Sequence, residues 1–599
     1  MKRFAIVSTF ALAASLGSLA PTATAQPFEP SRVPIAFDRY YDHDELLAHV
    51  RAIAAAYPEL VRLESIGKSL QGREMLVAIV NAQKTGPDTA KPAMWIDGNV
   101  HGNEIQASEV VLYTLWMLTK SYGSNADLTK LLDQKSFYLL VSQNPDGRAY
   151  WFAHANNSSS SRSNQRPVDD DRDGVFDEDP PDDLDGDGSI TQMWKADPDG
   201  RFVRDKKDPR VFRRVGDTET GEWTMLGSEG IDNDGDGDVN EDDPGGDDMN
   251  RNWPSDWQPE HVQFGAGPYP LSHPETQAVA RFIAAHPNIG AVQSYHNSGG
   301  MILRGPGADY LEGDYAADDR RAYDEIAKVG ELLLPYYRSM VIWKDLYTVH
   351  GGFVNWTAEG LGIFSFTNEM WPAEKAFQRP LNETPAAGGP GGGGGFFGGS
   401  QEQQDRMWTF RDRLQFGAVF KDYTEFQHPQ HGKILVGGLN KWSSRVTPTF
   451  MLEEECHRNF AFTMLHADHM AVLSVERSHV KRLGDGLWSI TTTIANEKIL
   501  PSRSARSADR NIGVPDLLTC EVAGGTVVAA GTVRRFDDKA MDAVDHEPAR
   551  LQVNRGIPGR GQRIFRFIVR APDGAKATLR YTAEKAVDLV YAVEMRDSL

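Results

Sequence analysis

The chain has 599 residues, 63 Lys+Arg against 84 Asp+Glu, and a formal net charge of −21. With 40% hydrophobic and 25% charged residues, its composition excludes a chain disordered throughout, a collagen and a polytopic membrane protein. The acidic balance argues against nucleic-acid binding, because phosphates are repelled. The only two cysteines, Cys456 and Cys520, allow at most one bridge, across the boundary proposed below, and no cysteine-rich metal site.

Lys2 and Arg3 precede an apolar run from Phe4 to Leu19 and then Ala23-Thr24-Ala25, the pattern of a secretory signal peptide cut after Ala25. No other stretch is long and apolar enough to span a bilayer. The mature chain is therefore expected without a membrane span, secreted or periplasmic. Only about ten residues separate the cleavage point from the first folded segment, so no propeptide is expected.

Helix and strand patterns alternate from there. Asp44 to Tyr57 has helical periodicity (Leu46, Leu47, Val50, Ile53). Val61 to Ile66 and Met75 to Val80 read as strands. Met94 to Asp97 is a short apolar strand running into Gly98-Asn99-Val100-His101-Gly102. Ser108 to Leu118 is helical and Phe137 to Val141 a buried strand. This alternation argues an α/β sheet. After Asn144-Pro145-Asp146-Gly147, read as a turn, residues 156–248 form a long Asp-, Ser- and Gly-rich insertion. Regular patterning resumes with a helix at Pro274 to Ala285, a strand at Ile289 to Ser294, a helix at Asp319 to Leu334 and a strand at Gly362 to Thr367. A glycine tract at 385–400 has no core-forming capacity. A helix from His457 to Leu473 closes this region. Beyond it, Trp488 to Ile494, Leu517 to Val522, Thr526 to Val533, Gln562 to Val569 and Ala577 to Tyr581 suggest a β-sandwich. The expected organisation is a signal peptide at 1–25, an α/β domain at 26–475 and an all-β domain at 476–599.

Three places carry chemistry. His101 and Glu104 lie three apart on a turn after a strand and can face one ion, although the same spacing also opens an ordinary helix. His296 follows the strand Ile289–Ser294, at the carboxyl edge where α/β proteins place their sites. A lone His there is also a common structural residue. Glu369 emerges from the apolar Ile363 to Phe366 run. Burying that acid is costly without a partner or a task, and desolvation near a metal suits a general base.

Taken in order, Gly98-Asn99-Val100-His101-Gly102-Asn103-Glu104, Asn144-Pro145-Asp146-Gly147, Asp248-Met249-Asn250-Arg251-Asn252-Trp253, His296, Tyr347 and Glu369 resemble the zinc carboxypeptidases. The resemblance covers Phe37 to Leu473 and implies a mixed central sheet flanked by helices. It implies a catalytic zinc on His101, Glu104 and His296, with Glu369 as general base. By the same resemblance Asn250, Arg251 and Tyr347 bind the terminal carboxylate of a peptide or protein, Asp248 orients His101, and Val354 floors a pocket for apolar or aromatic side chains. The oxyanion donor is ambiguous in the rewritten Ser158 to Arg166 stretch, where Arg162 is favoured over Arg166. Cell-wall stem peptides, cut by members of the wider family, are the alternative substrate. A non-catalytic calcium-dependent binding module is the alternative of another class.

The insertion holds 11 carboxylates and one Arg between Asp169 and Asp187. Asp169, Asp171, Asp173 with Asp177, then Asp183, Asp185, Asp187, then Asp232, Asp234, Asp236 with Asp243 repeat an Asp-x-Asp-x-Asp-Gly spacing that suits Ca²⁺. A solvated acidic loop is the simpler alternative. These stretches look like the calcium loops of thrombospondin type 3 repeats. Structural calcium is expected there.

Overall fold

The computed structural model describes residues 30–169, 172–240, 242, 244–372, 374–377 and 401–597. The signal-peptide segment, Asp171, Asp243 and the glycine tract lie outside them.

Eight strands build the central sheet: β1 (Val61–Lys68), β2 (Glu74–Val80), β3 (Ala93–Gly98), β4 (Ser136–Leu140), β5 (Ile289–Asn297), β6 (Met301–Arg304), β7 (Arg338–Val341) and β8 (Phe364–Met370). Their spatial order is β1-β2-β4-β3-β5-β8-β6-β7. The middle of the sheet is parallel, β4 to β3 to β5 to β8, and the outer pairings β1–β2, β2–β4 and β6–β8 are antiparallel. Every residue of β3, β4 and β5 is buried, which is why each holds an apolar run without polar alternation. Alternate side chains serve two cores. Met94 and Ile96 join the helices His43–Ala56, Gln106–Ser121, Ala317–Leu333 and Thr449–Asp468 on one face. Ala93 and Trp95 meet Val279, Phe282 and Ile283 of the helix Pro274–Ala285 on the other. The first helix carries a capping box, Asp42 with Glu45, and buries Leu46, Leu47, Val50 and Ile53, each worth about 1.5–3 kcal/mol.

Several sequence expectations change. Asn144-Pro145-Asp146-Gly147 is a helix start rather than a free turn: Asn144 accepts from Gly147 N and Pro145 occupies the first turn of Pro145–Ala153. A helix at Ala126–Gln134, capped by Asn125, was hidden by its polar sequence. The closing helix is Thr449–Asp468, and Leu473, expected at its end, instead begins the strand Leu473–Gly484.

The insertion contains more order than its composition suggests. Gln192–Ala196, Phe202–Arg204, Phe212–Arg214 and Trp223–Ser228 are strands. They join Phe420–His428 and Gly432–Leu439 in a six-stranded antiparallel sheet, with Leu435 opposite Trp194. These strands are short and mostly half-exposed, so no alternation announces them, and the outer partner of Gln192–Ala196 lies about 240 residues further along the chain.

After Leu473 two antiparallel sheets of five and four strands pack together. Trp488, Ile490, Phe565 and Phe567 meet Leu518, Leu579 and Tyr581 between them. This unit docks on the α/β region: Asp319 accepts from Ala505 N and Arg506 N (both 2.9 Å), and Arg506 Nε donates to Glu359 O (2.9 Å). Cys456 and Cys520 are both free and buried, one in the α/β core and one in the sandwich core, so no bridge joins the two. None of the described helices is long and apolar enough to cross a membrane.

Candidate active site

The parallel strands set the site. Their register puts Glu369 of β8 opposite His296 of β5, and Gly98 at the end of β3 opposite Tyr295. The turn after β3 therefore delivers His101 and Glu104 to the same carboxyl edge, the usual place for a ligand in such sheets. Asn99 shapes that turn at φ 60. Its Nδ2 donates to the carbonyls of His101 (2.7 Å) and Gly102 (3.0 Å). A Cβ on Gly102 would collide with the Ser161 carbonyl, and Gly102 N donates to Arg162 O (3.0 Å). The glycine thus lets the Arg162 loop lie directly on the His101 turn.

Three donors converge. Glu104 Oε1 lies 2.8 Å from His101 Nδ1 and Oε2 lies 2.9 Å from His296 Nδ1, while the two Nδ1 atoms are 3.2 Å apart. All three side chains are buried. Two imidazole nitrogens and one carboxylate facing a common point are a donor set that fits Zn²⁺ and leaves a position open. Burial alone would raise the Glu104 carboxyl, but His101 and His296 outweigh it and hold it well below the usual range. His101 Nε2 contacts Asp248 Oδ1 at 3.0 Å. Asp248 is held low in the same way, with His101, Arg251 and Arg162 overcoming its burial.

Glu369 behaves oppositely. Burial, then repulsion from Glu104, pushes its carboxyl up to about 7. Its Oε2 is shut off from solvent and has no hydrogen-bond partner. This is an acid poised near neutrality beside a metal-type donor set.

The two arginines of the rewritten stretch part company. Arg162 reaches Glu104 Oε1 (3.2 Å) and Asp248 Oδ2 (3.1 Å), whereas Arg166 turns away to Asp247 (2.5 Å). Asn250 and Arg251 follow Asp248, whose Oδ1 takes the Asn250 N–H at 2.8 Å. Asn250 Oδ1 accepts from Phe353 N (2.9 Å). Gly351, at φ 63, touches the Arg251 carbonyl where a side chain could not. Arg251 Nη2 points at the Tyr347 hydroxyl (3.4 Å), on a ring that is 46% exposed. Val354 is buried with Trp253, Phe353 and Trp356, beneath this corner.

Sequence reasoning missed Gln106, Asn297 and Arg445. Asn297 N donates to Glu104 Oε2 (3.2 Å). Gln106 Oε1 takes Asn297 Nδ2 (3.2 Å) and Thr447 N (2.9 Å). Arg445 acts electrostatically on Glu369. Gln106 and Asn297 adjoin the motifs and were within reach; nothing local marks Arg445.

In the insertion, carboxylate oxygens of Asp183, Asp185 and Asp187, and of Asp232, Asp234 and Asp236, lie within 4.8 Å of one another. Asp169 Oδ2 accepts from Gly174 N (3.2 Å) and Asp177 Oδ1 from Val168 N (3.3 Å); these two are not brought into such a group among the described residues. Burial, with Asp185 and Asp183 nearby, pushes the Glu229 carboxyl up to about 7.

Known proteins resemble the chain in two blocks. Residues 472–594 match a domain family of unknown function. Carboxypeptidase D of Drosophila melanogaster is 36% identical over 110 residues, 18% of this chain and 8% of that protein. An inactive metallocarboxypeptidase of Saccharomyces cerevisiae is 30% identical over 118 residues, 20% of this chain and 27% of that protein. The chain thus spans less than a third of the length of these curated relatives. The crystal structure of thrombin activatable fibrinolysis inhibitor aligns over 72% of this chain and 75% of that one, at 17% identity and a TM-score of 0.41. Residues 46–388, more than half of the chain, match the model described as zinc carboxypeptidase: the chain belongs to the zinc carboxypeptidase family.

Proposed function

We propose that this protein is an active, exported zinc metallocarboxypeptidase that removes the C-terminal residue of peptides. His101, Glu104 and His296 would hold the metal. When bound, zinc supplies Lewis acidity that polarises the scissile carbonyl and acidifies a water. Glu369 takes the proton of the attacking water and hands it to the departing amine. Arg162, parked between two carboxylates, supplies positive charge to the developing oxyanion. Asn250, Arg251 and Tyr347 hold the substrate's carboxylate, for which a planar guanidinium is suited. Asp248 fixes the His101 ring through Nε2. The apolar Val354 floor favours apolar or aromatic terminal side chains.

The observation that carries this reading is Glu369: an uncommitted, desolvated carboxylate oxygen beside three converging donors. A merely structural acid would have a partner. The test is metal analysis followed by mass spectrometry of a peptide library after digestion. Stoichiometric zinc with loss of single C-terminal residues is expected. Internal cleavage, or no cleavage by the zinc-loaded protein, overturns the reading. Muropeptides in the same assay separate stem-peptide from general peptide substrates.

The same reading includes an organisation of α/β domain at 26–475 and β-sandwich at 476–599, with export by the segment 1–25. It also includes structural calcium on Asp183, Asp185 and Asp187 and on Asp232, Asp234 and Asp236, with the Asp169–Asp177 loop as a further site. Arg162 and Asp248 stand at the two ends of this insertion, so calcium would steady one wall of the site. Full activity and stability of EDTA-treated, zinc-reloaded protein without Ca²⁺ would remove that role.

A further inference from the structure

Arg445 follows the strand Gly432–Leu439 and lies outside the residues that match the family. Its neighbours are tied to both flanks of the site. On one side Ser444 Oγ donates to Ser158 Oγ (2.8 Å), and the carbonyls of Ser158 and Ser159 take the Asn103 amide at 3.3 and 3.1 Å. On the other, Thr447 N and Oγ1 donate to Gln106 Oε1 at 2.9 and 2.8 Å. That oxygen also takes Asn297 Nδ2, and the Gln106 amide lies 3.8 Å from Met370 Sδ. Asn103 adjoins Glu104, Asn297 adjoins His296 and Met370 adjoins Glu369. The segment 444–447 is therefore strapped, through Ser158 and Gln106, to the chain neighbours of three of the site's functional residues.

Between these anchors Val446 N donates to Ser444 O (2.8 Å), closing a tight turn with Arg445 at its centre at φ 60. Asn or Gly would occupy this left-handed position with less strain. The Arg445 side chain makes no hydrogen bond or ion pair with any described residue, yet its charge bears on Glu369, together with Glu104, His296 and Arg162. The other two site arginines are committed: Arg162 to Glu104 and Asp248, Arg251 to the Asn250 carbonyl and Tyr347.

We infer that Arg445 is a substrate-binding residue that takes the carboxylate of an acidic side chain on the N-terminal side of the scissile bond. The inference rests on the reading above in one respect. If Asn250 and Arg251 hold the terminal carboxylate, the rest of the peptide extends past Glu369, on which the Arg445 charge bears, toward the half-buried Arg445. A half-buried guanidinium without a protein anion provides a fork for a carboxylate arriving there.

Two peptides ending in Phe, differing only in a penultimate Glu or Gln, test this. Binding is measured by calorimetry on the zinc-loaded E369Q protein, and cleavage on the protein with Glu369 intact. Each is run with Arg445, with R445N, which suits the left-handed turn but lacks the charge, and with R445K. With Arg445 the Glu peptide should bind about tenfold more tightly and show a correspondingly higher kcat/KM, carried by KM. R445N should bring the pair to within about twofold and R445K should fall between. Equal binding of both peptides to the Arg445 protein, no measurable binding of either, or an unchanged preference in R445N overturns the inference. So does an R445N effect confined to the acid limb of the pH profile and equal for both peptides, which would mean that Arg445 acts only on Glu369. A preference in calorimetry with neither peptide cleaved would sink the catalytic reading and leave this one standing.

Discussion

The site at the sheet edge and the acidic insertion both gather carboxylates, and they handle the charge in opposite ways. At the sheet edge Glu104 and Asp248 are buried but flanked by His101, His296, Arg162 and Arg251, and both are held well below the usual range. Donors and counter-charges are in place around the metal position. In the insertion, burial raises Asp187 and Glu229, and neighbouring aspartates raise them further. Lys421 approaches Asp187 at 3.5 Å, but the Asp232, Asp234 and Asp236 group has no cationic side chain paired with it among the described residues. The lesson concerns preorganisation. The first region is balanced by its own side chains, whereas the second, on the proposed reading, takes much of its balance from a bound cation.

The largest effect that would sharpen this contrast is at Glu369. E369Q should lower kcat/KM by about 10²–10⁴-fold at unchanged zinc content, read by steady-state kinetics beside metal analysis. Undiminished hydrolysis would break the assignment. R251A comes next, with a loss of about 10–100-fold carried mainly by KM. Peptides already amidated at the C-terminus should show little further loss, because they lack the group Arg251 would hold. The pH profile follows. Glu369 must be ionised to accept a proton, so activity rises with pH on the acid limb. Its carboxyl stands near 7 without metal, and a bound dication pulls it down, so the midpoint should fall between about 4.5 and 7.

Calcium should give the smallest effect on activity and a clear one on stability. Removing it from zinc-loaded protein should lower the unfolding midpoint by about 5 °C or more. The sign with pH is set by Glu229. Its folded pKa of about 7 lies above the ordinary carboxyl value of 4.5. The protonated acid's contribution is thus complete below 4.5 and lost as pH rises through 7. The stabilisation by calcium should accordingly grow between pH 5 and 7.5, by differential scanning calorimetry. Equal midpoints with and without calcium would show that the insertion balances itself.

Much of the α/β region was legible because its signals are local. β3, β5 and β8 are short apolar runs, and His101, Glu104, His296 and Glu369 stand at or just past their carboxyl ends. The choice between Arg162 and Arg166 leaned to Arg162 in the sequence but was not fixed there. Both are arginines in one polar stretch, and only the close approach of Ser161 to Gly102 shows which one faces the donors. Arg445 was out of reach for a stronger reason: its place depends on hydrogen bonds to Ser158 and Gln106, about 290 and 340 positions away. The insertion strands were missed because half-exposed segments of three to six residues carry no periodicity to read.

The second sheet has a consequence for how the molecule is made. Trp194 pairs with Leu435, so the strand Gln192–Ala196, emitted early from the ribosome, waits for a hairpin synthesised after every strand of the central sheet. Pairing across so long a loop is entropically slow. The Asp-rich segment should therefore settle last, and excising it as a surplus loop would leave Phe420–His428 and Gly432–Leu439 as an unprotected edge prone to self-association.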